Sequence, residues 1–173
     1  GPSDRVKHAL ANLDRMHIYP DSHQVVLRKA IGNFVGLDPG CVVAGNGSDE
    51  LIDLLLVMLV APGDAIINCT PTFDMYRFAT QIRGGTVLNL PRDSKFGLDL
   101  LAIRKSAHLA KAVFLTSPNN PTGNATRIED VRQLLDIGIV VIVDEAYQEF
   151  GGESAIDLLS KYSNLIVLRT FSK

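Results

Sequence analysis

The chain has 173 residues, 46% of them hydrophobic, and a net charge of -2; this suits one sizeable core in an ordinary soluble α/β domain. With so balanced a charge and no Lys/Arg cluster, a nucleic-acid surface is not expected, because its affinity would rest on phosphate neutralisation. The longest apolar run, Leu54 to Pro62, is too short to cross a bilayer, and no basic-then-apolar leader follows Gly1.

Val6, Ala9, Leu10 and Leu13 recur at helical spacing. Tyr19-Pro20-Asp21 breaks the chain, and Val25 to Phe34 predict an amphipathic helix that ends at Gly36. Asp38-Pro39-Gly40 reads as a turn. Short apolar runs then alternate with helical ones. Strands are predicted at Cys41 to Ala44, Ala65 to Cys69, Thr86 to Leu90, Ala112 to Thr116, Ile139 to Val143 and Leu165 to Leu168. Helices are predicted at Asp49 to Val60, Phe73 to Arg83, Leu98 to His108, Ile128 to Ile137 and Ala155 to Tyr162. Strands that lack polar alternation are buried on both faces, so the expected fold is α/β, a mostly parallel sheet wrapped by helices. No repeat or linker interrupts residues 1–173, which read as one domain. Ligands in such folds collect outside the carboxyl ends of the strands.

Cys41 and Cys69 lie on apolar segments without CxxC spacing and read as two buried thiols of a reducing compartment, the cytoplasm. His8, His17, His23 and His108 show no metal-ligand spacing, so no metal is expected.

The chemistry concentrates at the strand ends. Gly45-Asn46-Gly47-Ser48-Asp49-Glu50 leads into an apolar helix, either as a plain Ser/Asp cap or as a seat for a phosphate on free helix N–H groups. It matches neither GxGxxG nor the Walker spacing, so a dinucleotide or nucleoside triphosphate is not indicated. Thr70-Pro71-Thr72-Phe73-Asp74-Met75-Tyr76 sets the Phe73 ring beyond a strand, to stack on a flat ligand or to join the core. Ser117-Pro118-Asn119-Asn120-Pro121-Thr122-Gly123 is a rigid loop in which either X–Pro bond can be cis. Asp144-Glu145-Ala146-Tyr147 places a carboxylate at the buried end of five apolar residues, where it needs a positive partner or serves as a helix cap. The last stretch, Leu165 to Lys173, delivers an amine to a strand end, where it can act as a nucleophile toward a bound carbonyl compound or simply be a solvated surface charge.

Taken together, Ser117 to Gly123, Asp144 to Tyr147 and Thr170-Phe171-Ser172-Lys173 resemble the large domain of fold-type I, pyridoxal-phosphate-dependent aminotransferases, and within them the histidinol-phosphate aminotransferase group. The resemblance covers essentially the whole chain. It implies that Lys173 is the lysine that joins covalently to pyridoxal 5'-phosphate and then moves the substrate Cα proton. It implies that Asp144 pairs with the pyridine nitrogen, and that Asn120 and Tyr147 hydrogen-bond the phenolic oxygen of the ring. By the same resemblance Phe73 stacks on the ring, in a position that is often tyrosine. Gly47, Ser48 and Asp49, with Thr170 and Ser172, receive the phosphate. Tyr19 resembles the tyrosine that reaches into the neighbouring subunit of a homodimer. Gly1-Pro2-Ser3-Asp4 looks like the second half of a family motif, and the family continues past the lysine into an arginine-bearing turn and a small domain. The chain is therefore expected to be a large domain cut at both ends, with the small domain absent and no turnover of its own.

The function implied for the complete protein is transfer of an amino group between L-histidinol phosphate or imidazole acetol phosphate and glutamate or 2-oxoglutarate, in L-histidine biosynthesis. Its partners would be an amino donor and a 2-oxo acid. Other readings are a threonine-phosphate decarboxylase or aromatic aminotransferase of the same fold, or a noncatalytic aminotransferase-like effector domain.

Overall fold

A computed structural model describes all residues from Gly1 to Lys173. The chain divides into two compact units, Gly1–Ala44 and Gly45–Lys173.

The first unit carries two helices. Helix α1 (Asp4–Ala11) starts at Ser3, whose hydroxyl accepts the Val6 N–H, as expected of a serine cap. Helix α2 (Val25–Val35) follows Asp21, whose carboxylate accepts the N–H groups of His23 and Val25 at 3.0 Å each. It closes on Gly36 at φ +74°, a conformation that suits glycine at a helix end. The predicted strand Cys41 to Ala44 is not formed. Asp38 instead nucleates a single 3₁₀ turn, Pro39–Cys41, in which its side chain accepts the Gly40 N–H and its carbonyl the Cys41 N–H, while Pro39 O accepts the Val42 N–H. Two of the donors that a ladder would need, those of Cys41 and Val42, are thus used by the turn. Cys41 is exposed, contrary to the expectation of a buried thiol; Cys69 is buried.

The second unit is a five-stranded sheet with helices on both faces. Its elements are α3 (Gly47–Leu59), β1 (Ala65–Thr70), α4 (Met75–Ile82), β2 (Thr86–Pro91), α5 (Leu100–Ser106), β3 (Ala112–Thr116), α6 (Ile128–Leu135), β4 (Val140–Asp144) and β5 (Leu165–Leu168). The strand order is β2-β1-β3-β4-β5 and every pairing is parallel. Successive residues of each central strand enter opposite cores. Ile67, Val113, Leu115, Val141 and Val143 pack with Ile103 of α5 and Val131 and Leu134 of α6. Ile66, Ala112, Phe114 and Ile142 pack with Ile52 and Leu56 of α3 and Tyr76 and Ala79 of α4. This two-sided burial is why the strand sequences show no polar alternation, and each fully buried aliphatic side chain contributes about 2 kcal/mol. The edge strand β2 is the exception, with Thr86 and Asn89 exposed.

Ala155 to Tyr162, predicted as a helix, contains only a 3₁₀ turn, Ile156–Leu158. Its backbone bonds are mainly of the i→i−3 kind, Leu158 N–H to Ala155 O, Leu159 N–H to Ile156 O and Lys161 N–H to Leu158 O, and the Ala155 N–H is bound by Glu145 Oε1 at 2.6 Å. No helix is long and apolar enough to cross a membrane.

Candidate active site

At the carboxyl edge of the sheet, a cavity of about 190 Å³ is lined by Asn46, Gly47, Ser48, Asp49, Phe73, Thr116, Asn120, Asp144, Ala146, Tyr147, Thr170, Ser172 and Lys173. Ten residues singled out in the sequence, drawn from five separate stretches, therefore face one space. Tyr19, the eleventh, belongs to the first unit, where it is 97% exposed.

Asp144 forms the floor. It is the last residue of β4, in register with Thr116 of β3 on one side and Leu168 of β5 on the other. Its backbone carbonyl accepts the Ser117 N–H at 2.9 Å, which closes the end of the ladder. The side chain is 2% exposed. Oδ1 accepts the Ala146 N–H at 3.0 Å and Oδ2 the Tyr76 hydroxyl at 2.6 Å. Asp144 takes part in none of the ion pairs of the molecule. Burial accordingly pushes its carboxyl above the usual carboxylate range, opposed by the two hydrogen bonds, with smaller effects from Asp49 upward and Lys173 downward.

One wall is the start of α3. No side chain caps it as an N-cap normally would; Glu50 turns back instead to the N–H and amide of Asn46. Gly47 stands at φ +82°, which lets the chain turn sharply into the helix. Ser48 and Asp49 therefore do not act as the cap, and the first-turn N–H groups, which have no acceptor within the helix, lie at the cavity. Opposite them, the Thr170 and Ser172 hydroxyls are 2.8 Å apart and the Ser172 N–H donates to Thr170 Oγ1. Lys173 is exposed, with Nζ 5.1 Å from the centre of the Tyr147 ring, within cation–π range.

The rigid loop after β3 divides its two asparagines. Asn119 is buried and fastens the loop, donating to Pro71 O and Thr122 Oγ1 and accepting from Thr72 Oγ1 and Arg92 Nη2. Asn120 lines the cavity. Both Ser117-Pro118 and Asn120-Pro121 are cis.

Beyond those ten, Asn46, Thr116 and Ala146 line the cavity and Tyr76 bonds to Asp144, though none of the four was singled out as a site residue. Tyr76 is 0% exposed and its ring lies stacked at 4.7 Å on Phe114 and edge-on at 5.6 Å to Phe73. Its hydroxyl meets Thr116 Oγ1 at 2.8 Å as well as Asp144. The available signal was that Tyr76 lies one helical turn after Phe73, a buried aromatic whose polar tip needs a partner. Ala146 contributes its backbone, for which no sequence pattern exists.

Set beside known proteins, residues 2–173 match the family model described as aminotransferase class I and II. The chain belongs to this family. It is 44% identical over 174 residues to a histidinol-phosphate aminotransferase of Dehalococcoides mccartyi, covering 100% of this chain and 49% of that one. It is also 44% identical over 176 residues to a chloroplastic histidinol-phosphate aminotransferase of Nicotiana tabacum, covering 43% of its length. In structure it resembles the histidinol-phosphate aminotransferase of Sinorhizobium meliloti solved in complex with pyridoxal-5'-phosphate, with a TM-score of 0.89 and 23% identity over all of this chain and 49% of the other. The Clostridium acetobutylicum histidinol-phosphate aminotransferase gives a TM-score of 0.85 and 26% identity, over 98% of this chain and 51% of that one. The chain thus spans about half the length of the relatives it matches.

Proposed function

We propose that residues 1–173 form the large, cofactor-binding domain of a pyridoxal-phosphate-dependent aminotransferase that interconverts L-histidinol phosphate and imidazole acetol phosphate with glutamate and 2-oxoglutarate. The observation that carries this reading is the floor of the cavity: a buried carboxylate held by two neutral donors and by no cation. A protonated ring nitrogen is the partner that such a group lacks, since a lone buried carboxylate is costly. The rest of the lining fits the same group. The uncapped start of α3 and the hydroxyls of Thr170 and Ser172 suit a phosphate. Phe73 offers a ring face, and Asn120 and Tyr147 offer polar groups around a ring oxygen. The choice of substrate follows the relatives named above.

When bound, pyridoxal phosphate supplies an electron sink for the charge left as the substrate Cα loses its proton. The chain's own residues do the remainder. Lys173 Nζ anchors the cofactor and then carries the Cα proton. Asp144 fixes the ring nitrogen and keeps it positive. Asn120 and Tyr147 orient the phenolic oxygen, and the start of α3 holds the phosphate. Tyr19 reaches the site of a second subunit in a homodimer, and the enzyme works in the cytoplasm.

The test uses the complete protein. Lys173→Ala should lower transamination of L-histidinol phosphate by a factor of at least about 100 and abolish the covalent attachment of pyridoxal phosphate that borohydride traps in the wild type. Attachment that survives the substitution would sink the assignment. A panel with L-threonine phosphate and aromatic amino acids decides the substrate: preference for either over L-histidinol phosphate overturns that part of the reading.

A further inference from the structure

We infer that Tyr76 is a positioning residue for Asp144, holding that carboxylate ionised and aimed at the cavity through its hydroxyl, which Thr116 backs. This rests on the cofactor reading above.

The chain is continuous. Tyr76 Oη lies 2.6 Å from Asp144 Oδ2 and 2.8 Å from Thr116 Oγ1; Thr116 Oγ1 lies 3.0 Å from Thr72 Oγ1; Thr72 Oγ1 lies 2.9 Å from Asn119 Oδ1; and Asn119 Oδ1 accepts Arg92 Nη2 at 3.2 Å. It links the ends of β4, α4, β3 and the loops after β1 and β3. Each hydroxyl has a single proton to give. Thr72 gives its proton to Asn119 Oδ1, whose other lone pair takes Arg92 Nη2; Arg92 is itself buried and bound to Cys69 O at 3.1 Å. That leaves Thr116 free to donate to Tyr76 Oη while Tyr76 donates to Asp144 Oδ2. A hydroxyl that is backed by a donor and gives its own proton to the carboxylate favours the ionised form.

Packing alone does not account for the hydroxyl. The Tyr76 ring is wholly buried between Phe114 and Phe73, a setting in which phenylalanine would pack as well and spare the desolvation of an O–H. The other titratable groups around Asp144 cannot take its place. Asp49, from the start of α3, has the wrong sign; Lys173 and Tyr147 line the cavity on its open side, where the cofactor is to sit.

The experiment measures pyridoxal phosphate binding to the apo form of the complete protein by equilibrium dialysis between pH 6 and 9. Tyr76→Phe should weaken binding about tenfold. The penalty should be greatest at the acid end, because a carboxylate deprived of a donor protonates at higher pH and then loses its hold on a positive ring nitrogen. Thr116→Val, which keeps the Tyr76 ring, should shift binding in the same direction by a smaller factor of about three. In an Asp144→Asn background the effect of Tyr76→Phe should vanish, which a merely structural role for the ring would not produce. Wild-type affinity and pH profile in Tyr76→Phe, or an undiminished penalty in the Asp144→Asn background, overturns the inference. If Tyr76→Phe does not fold, Thr116→Val decides: weakened binding at low pH supports it and wild-type binding overturns it. A wild-type protein that binds no pyridoxal phosphate overturns the cofactor reading, and the inference with it.

Discussion

Asp144 and Glu145 are neighbours in the chain, both carboxylates and both buried, at 2% and 1% exposure, yet the two sides of the strand end treat them oppositely. Asp144 meets only neutral donors and borders the cavity. Glu145 faces away from it and is saturated: Arg169 Nε at 2.9 Å, Ser154 Oγ at 2.7 Å and the Ala155 N–H at 2.6 Å all donate to its two oxygens. Arg169 also reaches Glu149 at 3.1 Å. Glu145 thus ties the loop that carries Tyr147 and the stretch that precedes Lys173 into one clasp. A buried charge whose partners are all supplied by the chain holds structure, and one left short of a cation is set up to receive it from elsewhere.

Substitutions at the two positions should therefore fail in different ways. Asp144→Asn should lower kcat of the complete protein about 100- to 1000-fold, because it removes the charge proposed to hold the cofactor's ring nitrogen, and leave the fold intact. Its pH dependence carries a definite sign. A carboxyl with a raised folded pKa favours the fold below its unfolded value, and that contribution is lost as pH rises through the folded one. Relative to Asp144→Asn, the cofactor-free wild type should lose stability from about pH 4 upward. Urea midpoints of both proteins between pH 4 and 7 measure this, and parallel curves would contradict it.

Glu145→Gln should show the converse, a loss of about 3 kcal/mol, at the low end for a broken buried pair because Arg169 keeps Glu149, with kcat of the folded fraction near wild type. Combining it with Arg169→Met should cost less than the sum of the single changes, since no charge is then stranded. A purely additive cycle would break the contrast with Asp144. The smallest effect is expected where a pair lies in water. Lys7, which bonds Asp4 with the two side chains 62% and 99% exposed, should leave the urea midpoint unmoved when replaced by Ala.

Much of this was legible in residue order. The apolar runs of β1, β3 and β4 announced a sheet covered on both faces, and the start of α3 with the stretches after β1, β3, β4 and β5 named ten residues that do share one cavity. Legibility ended where a turn replaced the element that the apolar pattern suggested. Cys41 to Ala44 looks like a strand, but the turn that starts at Asp38 takes the donors of Cys41 and Val42. Ala155 to Tyr162 looks like a helix, but its backbone closes mainly i→i−3 bonds around a single 3₁₀ turn.

The sequence by itself determined the alternation of strand and helix, hence a parallel sheet, and the residue types waiting at its carboxyl edge, because periodicity and turn chemistry are local properties. The tertiary structure alone decided which of two adjacent carboxylates borders the cavity and which is locked into a clasp. It alone paired Tyr76 with Asp144 across 68 residues and Glu145 with Arg169 across 24. Those contacts arise only when β3, β4 and β5 align in register and α4 folds across them, and no spacing along the chain encodes that.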